Sequence, residues 1–317
     1  MPRSLVIAAA QLGPVQRAHT REQVVQRMLV LLRDAAAMGA ELVVFPELCL
    51  TTFFPRWLIE DEAELDAYYE TRMPGPATQA LFDEAKRLGV GLHLGYAELQ
   101  HEGDRKRRFN AAMLVERDGR VASIYRKVHL PGHAEPEPWR RFQHLEKRYF
   151  EPGPGFTAVR AFGGVVGVAI CNDRRWSETY RVLGLQGVEL VLIGYNTPVH
   201  NPPAPEHDRL GDFHNHLVMQ AGAYQNGTWV VGVAKAGVEE GCEMIGGSCI
   251  IAPTGEVVAL CSTRDDELAV ARCDLDLCNS YKRSVFDFAK HRQPHAYGLI
   301  VSRTGAIPPE QDRGSKS

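Results

Sequence analysis

The sequence predicts an α/β fold in which sheets are covered by outer helices. Apolar strand-like runs alternate with helical patterns along the chain. Several of those runs carry no polar alternation, the mark of strands buried on both faces. No linker, repeat or low-complexity segment interrupts the 317 residues, of which 44% are hydrophobic, so one domain is expected over 1–306. Residues 307–317, IPPEQDRGSKS, are polar and proline-containing and are expected to be a disordered tail.

Residues 5–10 read as the first strand and 21–38 as a helix. Strand 42–45 ends at Pro46, which cannot donate to a ladder, so Glu47 is delivered to the mouth of the sheet. Helix 78–87 precedes strands 91–96 and 111–116, and Lys127 follows a further strand in IYRKVHLPGH. In VVGVAICNDRR, five of the six residues before Cys171 are Val, Ala or Ile, so a buried strand over 164–170 hands a cysteine to a polar turn. Asn172-Asp173 supplies turn and N-cap chemistry for a helix at 177–185. Strand 190–193, helix 214–226 and strands 228–234, 248–252, 257–260 and 268–273 complete the pattern.

Cys171, Glu47 and Lys127 each have an ordinary structural reading: a small core residue, a helix cap, a strand-end charge. Their common position after apolar strands gives them a second reading, because ligand and catalytic groups of α/β sheets gather at strand ends. The residue types also complement one another. A free thiol has a pKa near 8.5 and needs help to become a nucleophile, which the helix N-terminus at the turn and a base at Glu47 would provide. The Lys127 ammonium would stabilise an oxyanion, worth roughly 3–4 kcal/mol for a well-placed donor.

FPEL around Glu47, YRKVHL around Lys127 and the strand–CND segment around Cys171 resemble the Glu-Lys-Cys triad of the nitrilase superfamily, and the likeness runs from AAAQLGPV to HRQPHAYGL. That resemblance implies a four-layer α-β-β-α sandwich, with Cys171 as nucleophile, Glu47 as general base and acid, and Lys127 as oxyanion stabiliser. It aligns Glu146 with a second carboxylate that positions the lysine and assists proton transfer, although the residues by themselves favour a solvated surface run over Glu146-Lys147-Arg148. His129 and His144 align with histidines near the pocket, and each is equally a satisfied structural histidine.

Within the superfamily, TTFFPRW, FQHLEKRYFEPG, CNDRRW and GYNTPVHNPP are similar to the branch that hydrolyses N-carbamoyl-D-amino acids. Arg174 and Arg175 would then clamp the substrate carboxylate in bidentate fashion. Asn172, Asn196 and Thr197 would hydrogen-bond its ureido and carboxylate groups. Phe53, Trp139 and Pro198 stand near these motifs as candidate pocket lining. An aliphatic amidase, a nitrilase or a β-ureido acid hydrolase would share the triad. A non-catalytic binding module of the same fold would have no need of it intact.

The remaining expectations are mostly exclusions. A net charge of −3 gives no electrostatic case for nucleic acid or an anionic membrane surface. No run approaches the ~20 apolar residues of a membrane span. The opening MPRSLVIAAAQLG passes directly into strand-and-turn chemistry and does not read as a secretory leader. Seven cysteines without a CxxC pair point to reduced thiols and a cytoplasmic location. His200, His207, His214 and His216 lie in one stretch, but His214 and His216 face different ways on a helix and no cysteine is near. The expectation is therefore no metal and no cofactor, and the resemblance implies a small-molecule N-carbamoyl-D-amino acid as the partner and a homodimer or homotetramer associating across helix faces. The segment after Tyr297 is a candidate for exchange between subunits.

Overall fold

Two six-stranded sheets lie face to face in the computed structural model, which describes residues 3–309. The first is built from β1 (Ser4–Gln11), β2 (Leu42–Val44), β3 (Gly91–Glu102), β4 (Arg105–Val115) and β5 (Val121–Arg126). The second uses β6 (Val159–Ala161), β7 (Gly164–Ile170), β8 (Leu190–Tyr195) and β9 (Trp229–Ala234). A separate hairpin follows, β10 (Ala236–Glu239) with β11 (Cys242–Ile245). The second sheet is completed by β12 (Cys249–Ile251) and β13 (Val257–Leu260), and the first by β14 (Glu267–Asp274). The strand orders are β14-β1-β2-β3-β4-β5 and β13-β12-β9-β8-β7-β6.

Strand alternation sorts the apolar residues into three buried layers. On β1, Leu5, Ile7 and Ala9 face the seam between the sheets, where they meet Val166, Leu192, Val231 and Val233. Ala8 and Ala10 face the other way, onto helix Arg21–Ala37. That helix opens with a Thr20/Gln23 capping box and buries Ala35 together with Val24, Val25, Met28, Leu29, Leu31 and Leu32, the last six each worth about 1.5–3 kcal/mol. Helix Gln79–Leu88 lies beside it. On the second sheet, Tyr180 and Leu183 of helix Ser177–Leu185 and Met219 and Ala223 of helix Gly211–Asn226 cover Val168, Val191 and Val230. The layers therefore run α-β-β-α, as the resemblance implied.

β1, β2 and β3 are parallel, as are β7, β8 and β9, so Glu47 and Cys171 both leave the carboxyl ends of central strands. Strands β3 and β4 run longer than the sequence pattern predicts, because their polar outer halves pair as a hairpin beyond the apolar core. β6, β10 and β11 are too short to carry a period. Asp173 does not cap the helix at Ser177–Leu185, whose first turn has no side-chain cap. Its carboxylate accepts instead from Ile170 N (3.0 Å), Tyr125 Oη (2.7 Å) and His129 N (2.9 Å), tying the cysteine turn to the strand that precedes Lys127. Of the expected tail, 310–317 lies outside the described residues, and 307–309 is exposed without regular structure. Helix Gly298–Ser302 stands on the surface with Val301 90% exposed. Among the described residues no helix is long and apolar enough to cross a membrane.

Candidate active site

Glu47, Lys127, Glu146 and Cys171 are brought together between the two sheets, all buried. Pro46 ends the β2 segment, and Glu47 follows in a turn whose next residue, Leu48, has φ +42°. The backbone there is held between the sheets. A Cβ on Gly95 of β3 would stand 2.6 Å from Glu47 Cα, and one on Gly194 of β8 would stand 2.5 Å from Glu47 N. Only glycine lets both strands come that close.

The Glu47 carboxylate accepts from Lys127 Nζ and Asn110 Nδ2 at Oε1, both at 2.8 Å, and from Asn196 N at Oε2 (2.9 Å). Asn196 Nδ2 also donates to the Glu47 carbonyl (2.9 Å). Lys127 Nζ reaches Glu146 Oε2 at 2.6 Å, so the ammonium sits between two carboxylates. Burial pulls the Lys127 pKa down, but Glu146 and Glu47 more than offset it, and the ammonium ends above its ordinary range. Burial opposes the charge of Glu146 as well, yet Lys127 and the nearby His144 hold its carboxyl below the usual value. Glu146 is thus a fully buried partner of the lysine at the start of helix Glu146–Tyr149, which overturns its reading as a surface residue.

Cys171 opens a 3-10 turn over Cys171–Arg175 with φ +44°, a left-handed conformation that β7 and the turn impose on a non-glycine residue. Its Sγ lies 3.5 Å from the Asn196 carbonyl. Burial, reinforced by the Glu47 charge, pushes the thiol above its ordinary pKa, and Lys127 and Arg174 only partly counter it. This corrects the expectation of a readily formed thiolate: the helix N-terminus does not outweigh desolvation, and the resting group is a neutral thiol 6% exposed. A base must therefore remove its proton during attack, and Glu47 is the carboxylate whose charge Cys171 feels most strongly.

The remaining predicted residues fall into four settings. Arg174 is fully buried behind the nucleophile, donating to the Cys171 carbonyl (2.8 Å), Thr197 Oγ1 (2.8 Å) and Asn215 Oδ1 (2.9 Å). Arg175 is exposed and lines a separate cavity of about 100 Å³, and its pKa is lowered to about 10, mainly by the Arg174 charge. The two guanidiniums do not form the bidentate clamp expected of them: Arg174 is engaged by three protein acceptors, and neither arginine lines the cavity that carries Asn196 and His144. Asn172 donates to the His129 carbonyl (3.2 Å), and His129 Nδ1 lies 2.9 Å from Asp173 Oδ1 with its ring stacked on Trp176. Both hold loops together. His144 Nε2 lies 3.1 Å from Glu146 Oε1, so that histidine belongs to the lysine–carboxylate chain.

A cavity of about 680 Å³ adjoins this cluster through Asn196 and His144, while Cys171, Glu47, Lys127 and Glu146 themselves lie behind its lining. Phe53, Trp139 and Pro198 line it as the sequence suggested, with Phe142 and Val199. Its charged lining is Arg56, Arg140 and Arg141 against the single carboxylate of Glu243. Arg141 makes no ion pair among the described residues. Asn196 Oδ1 is buried without a partner among the described residues, an open acceptor on the residue whose carbonyl faces the thiol. Asn110, Asp173, Asn215, Gly95 and Gly194 were not legible as site residues. Asn110 was the nearest to being found, as a lone polar residue at the start of an apolar run.

Among the described residues no three metal-binding side chains converge. His200 is engaged by Asp208, and His216 lies 3.1 Å from the Gly247 carbonyl.

The carbon-nitrogen hydrolase pattern matches residues 6–283. The chain is 28% identical to N-carbamoylputrescine amidase of Arabidopsis thaliana over 96% of its own length and 98% of the relative's. It is 31% identical to an (R)-stereoselective amidase of Pseudomonas sp over 81% of each. The crystal structure of a carbon-nitrogen hydrolase from Helicobacter pylori shares the fold with a TM-score of 0.80, at 21% identity over 95% of this chain and 99% of that one.

Proposed function

The chain belongs to the carbon-nitrogen hydrolase family, and from that premise we propose that it hydrolyses N-carbamoyl-D-amino acids to the D-amino acid, carbon dioxide and ammonia. Glu47 takes the Cys171 proton as sulfur attacks the ureido carbonyl. Lys127, held positive by its two carboxylates, stabilises the oxyanion of the tetrahedral intermediate. Collapse returns the proton to the leaving nitrogen and leaves an acyl-type thioester. Water activated by Glu47 then hydrolyses that bond and frees Cys171.

The observation that carries the substrate class is the excess of guanidinium around the nucleophile and its cavity. Arg174 Nη1 lies 3.8 Å from Cys171 Sγ with only uncharged hydrogen-bond acceptors around it, and the cavity wall adds Arg141, which has no ion-pair partner among the described residues, whereas Arg56 and Arg140 are neutralised by Glu239 and Glu137. That surrounding favours a ureido substrate ending in a carboxylate and disfavours one ending in an ammonium, such as N-carbamoylputrescine. Arg174 would reach a carboxylate by exchanging a protein acceptor for it, with the Thr197 hydroxyl alongside, and the Asn196 Oδ1 would accept from a ureido N–H. The largely apolar cavity suits a bulky side chain, and the (R)-stereoselective amidase among its relatives accords with a handed pocket. Exposed Val182, Leu185, Leu217 and Tyr224 on the outer helices of the second sheet support assembly as a homodimer or homotetramer.

The test is amino-acid release from N-carbamoyl-D-phenylalanine, its L enantiomer and N-carbamoylputrescine, with Cys171→Ala as control. Turnover of the D compound alone, absent in the variant, supports the assignment. Preference for N-carbamoylputrescine overturns it.

A further inference from the structure

A second cluster of buried charges lies outside the catalytic group. Lys235, between β9 and β10, and Glu239, at the end of β10, are both fully buried, and Arg56 is 4% exposed. Glu239 Oε1 accepts from Phe53 N (2.7 Å) and Arg56 Nη1 (2.9 Å), while Oε2 accepts from Lys235 Nζ (2.8 Å) and Val15 N (3.1 Å). Lys235 Nζ also donates to the Thr51 carbonyl at 2.8 Å. Among the described residues none of the three hydrogen-bonds Glu47, Lys127, Glu146 or Cys171.

What the cluster holds is one wall of the cavity. Phe53 and Arg56 both line it, and the Arg56 guanidinium covers the Phe53 ring at 5.2 Å. The same loop also anchors the adjoining 143–145 stretch of the lining, since Arg56 O accepts from Gln143 N (2.8 Å) and Pro55 O from Leu145 N (2.9 Å). Phe53 meets His144 edge-on, with ring centroids 5.9 Å apart. A pair of ions costs several kcal/mol to bury, so a stability role alone is a weak reason to keep one in an apolar fold.

We propose that Lys235 and Glu239 are positioning residues that fix the Phe53–Arg56 wall and thereby set affinity for the side chain of the substrate. The assignment rests on the N-carbamoyl amino acid reading of the cavity. Glu239→Gln keeps the volume but turns one acceptor edge into a donor facing the Lys235 ammonium, so the Thr51–Arg56 loop loses its anchor. The KM for N-carbamoyl-D-phenylalanine is expected to rise about tenfold, the worth of one charge-assisted hydrogen bond, with kcat little changed. The KM for N-carbamoylglycine, which has no side chain to place, is expected to stay at the wild-type value.

Phe53→Ala removes the ring that Arg56 covers but keeps Lys235, Glu239 and the backbone N–H bond of residue 53, so it remains informative if Glu239→Gln does not fold. It is expected to show the same split between the two substrates. Equal changes for both substrates in Glu239→Gln, or no change in discrimination in Phe53→Ala, overturn the proposal. A readout independent of turnover is the rate of Cys171 alkylation by N-benzyl iodoacetamide relative to iodoacetamide, followed by mass spectrometry. Both variants are expected to lose preference for the benzyl reagent. A wild-type enzyme that turns over neither N-carbamoyl compound refutes the function, and the alkylation ratio then decides the positioning role by itself.

Discussion

Substituting Gly194 by alanine tests whether the two sheets hold the catalytic carboxylate by backbone contact. The added methyl would start 2.5 Å from Glu47 N and 2.7 Å from the Pro46 carbonyl carbon, whereas ordinary contact begins at 3.4 Å, so strand or turn must retreat by roughly 0.9 Å. Backbone cannot swing aside as a side-chain tip can, and the turn carries the carboxylate with it. A displacement of about 1 Å in a catalytic group costs on the order of 10²-fold in rate, and overpacking costs about 1–3 kcal/mol in stability. The assay is kcat/KM on N-carbamoyl-D-phenylalanine beside a thermal melt, so that loss of folded protein is separated from loss of rate. Gly298→Ala, with nothing among the described residues within 4 Å of its new methyl, is the control and is expected to match the wild type. Wild-type kcat/KM in a fully folded Gly194→Ala enzyme would show that Glu47 is placed by its own hydrogen bonds and not by the sheets.

Three further outcomes follow from the geometry. Because the Cys171 thiol lies above its ordinary pKa, alkylation by iodoacetamide is expected to keep accelerating beyond pH 9, and a plateau already reached at neutral pH would contradict a desolvated thiol. Glu146→Gln leaves Lys127 with one carboxylate in place of two and is expected to lower kcat by about 10²-fold while the chain stays folded, read by kinetics and circular dichroism. His93 is fully buried, both ring nitrogens are unpartnered among the described residues, and burial lowers its pKa from 6.5 to about 4. The unfolded chain then binds a proton that the folded one refuses as pH falls from 6.5 to 4, so about 3 kcal/mol of stability is lost across that window. His93→Leu is expected to flatten urea-derived stability over the same range, and an unchanged slope would assign acid sensitivity to other groups.

The triad was legible because each member follows an apolar strand, and strand ends of parallel sheets converge. Pro46 before Glu47 and the aliphatic run before Cys171 are local signals that survive into the fold. Glu146 was ambiguous, since its charged neighbours Lys147 and Arg148 turn to solvent while it turns inward, a distinction one helical turn cannot encode. Arg174 and Arg175 share a spacing but not an environment: the 3-10 turn sends one behind the sulfur and the other to the surface. The thiol's protonation state depends on summed burial that no motif records. Gly95 and Gly194 looked like ordinary strand glycines because their shared neighbour, Glu47, belongs to neither strand.

The left-handed backbone at Cys171 places the enzyme's activity and its durability in opposition. An L-residue held at φ +44° carries a conformational penalty of about 1–2 kcal/mol that glycine does not. A search for more robust versions of this chain that screens only for folded protein will therefore drift toward Cys171→Gly, gaining heat resistance as the chemistry disappears. Selection for endurance has to be coupled to turnover, because at this position the fold itself rewards giving the nucleophile up.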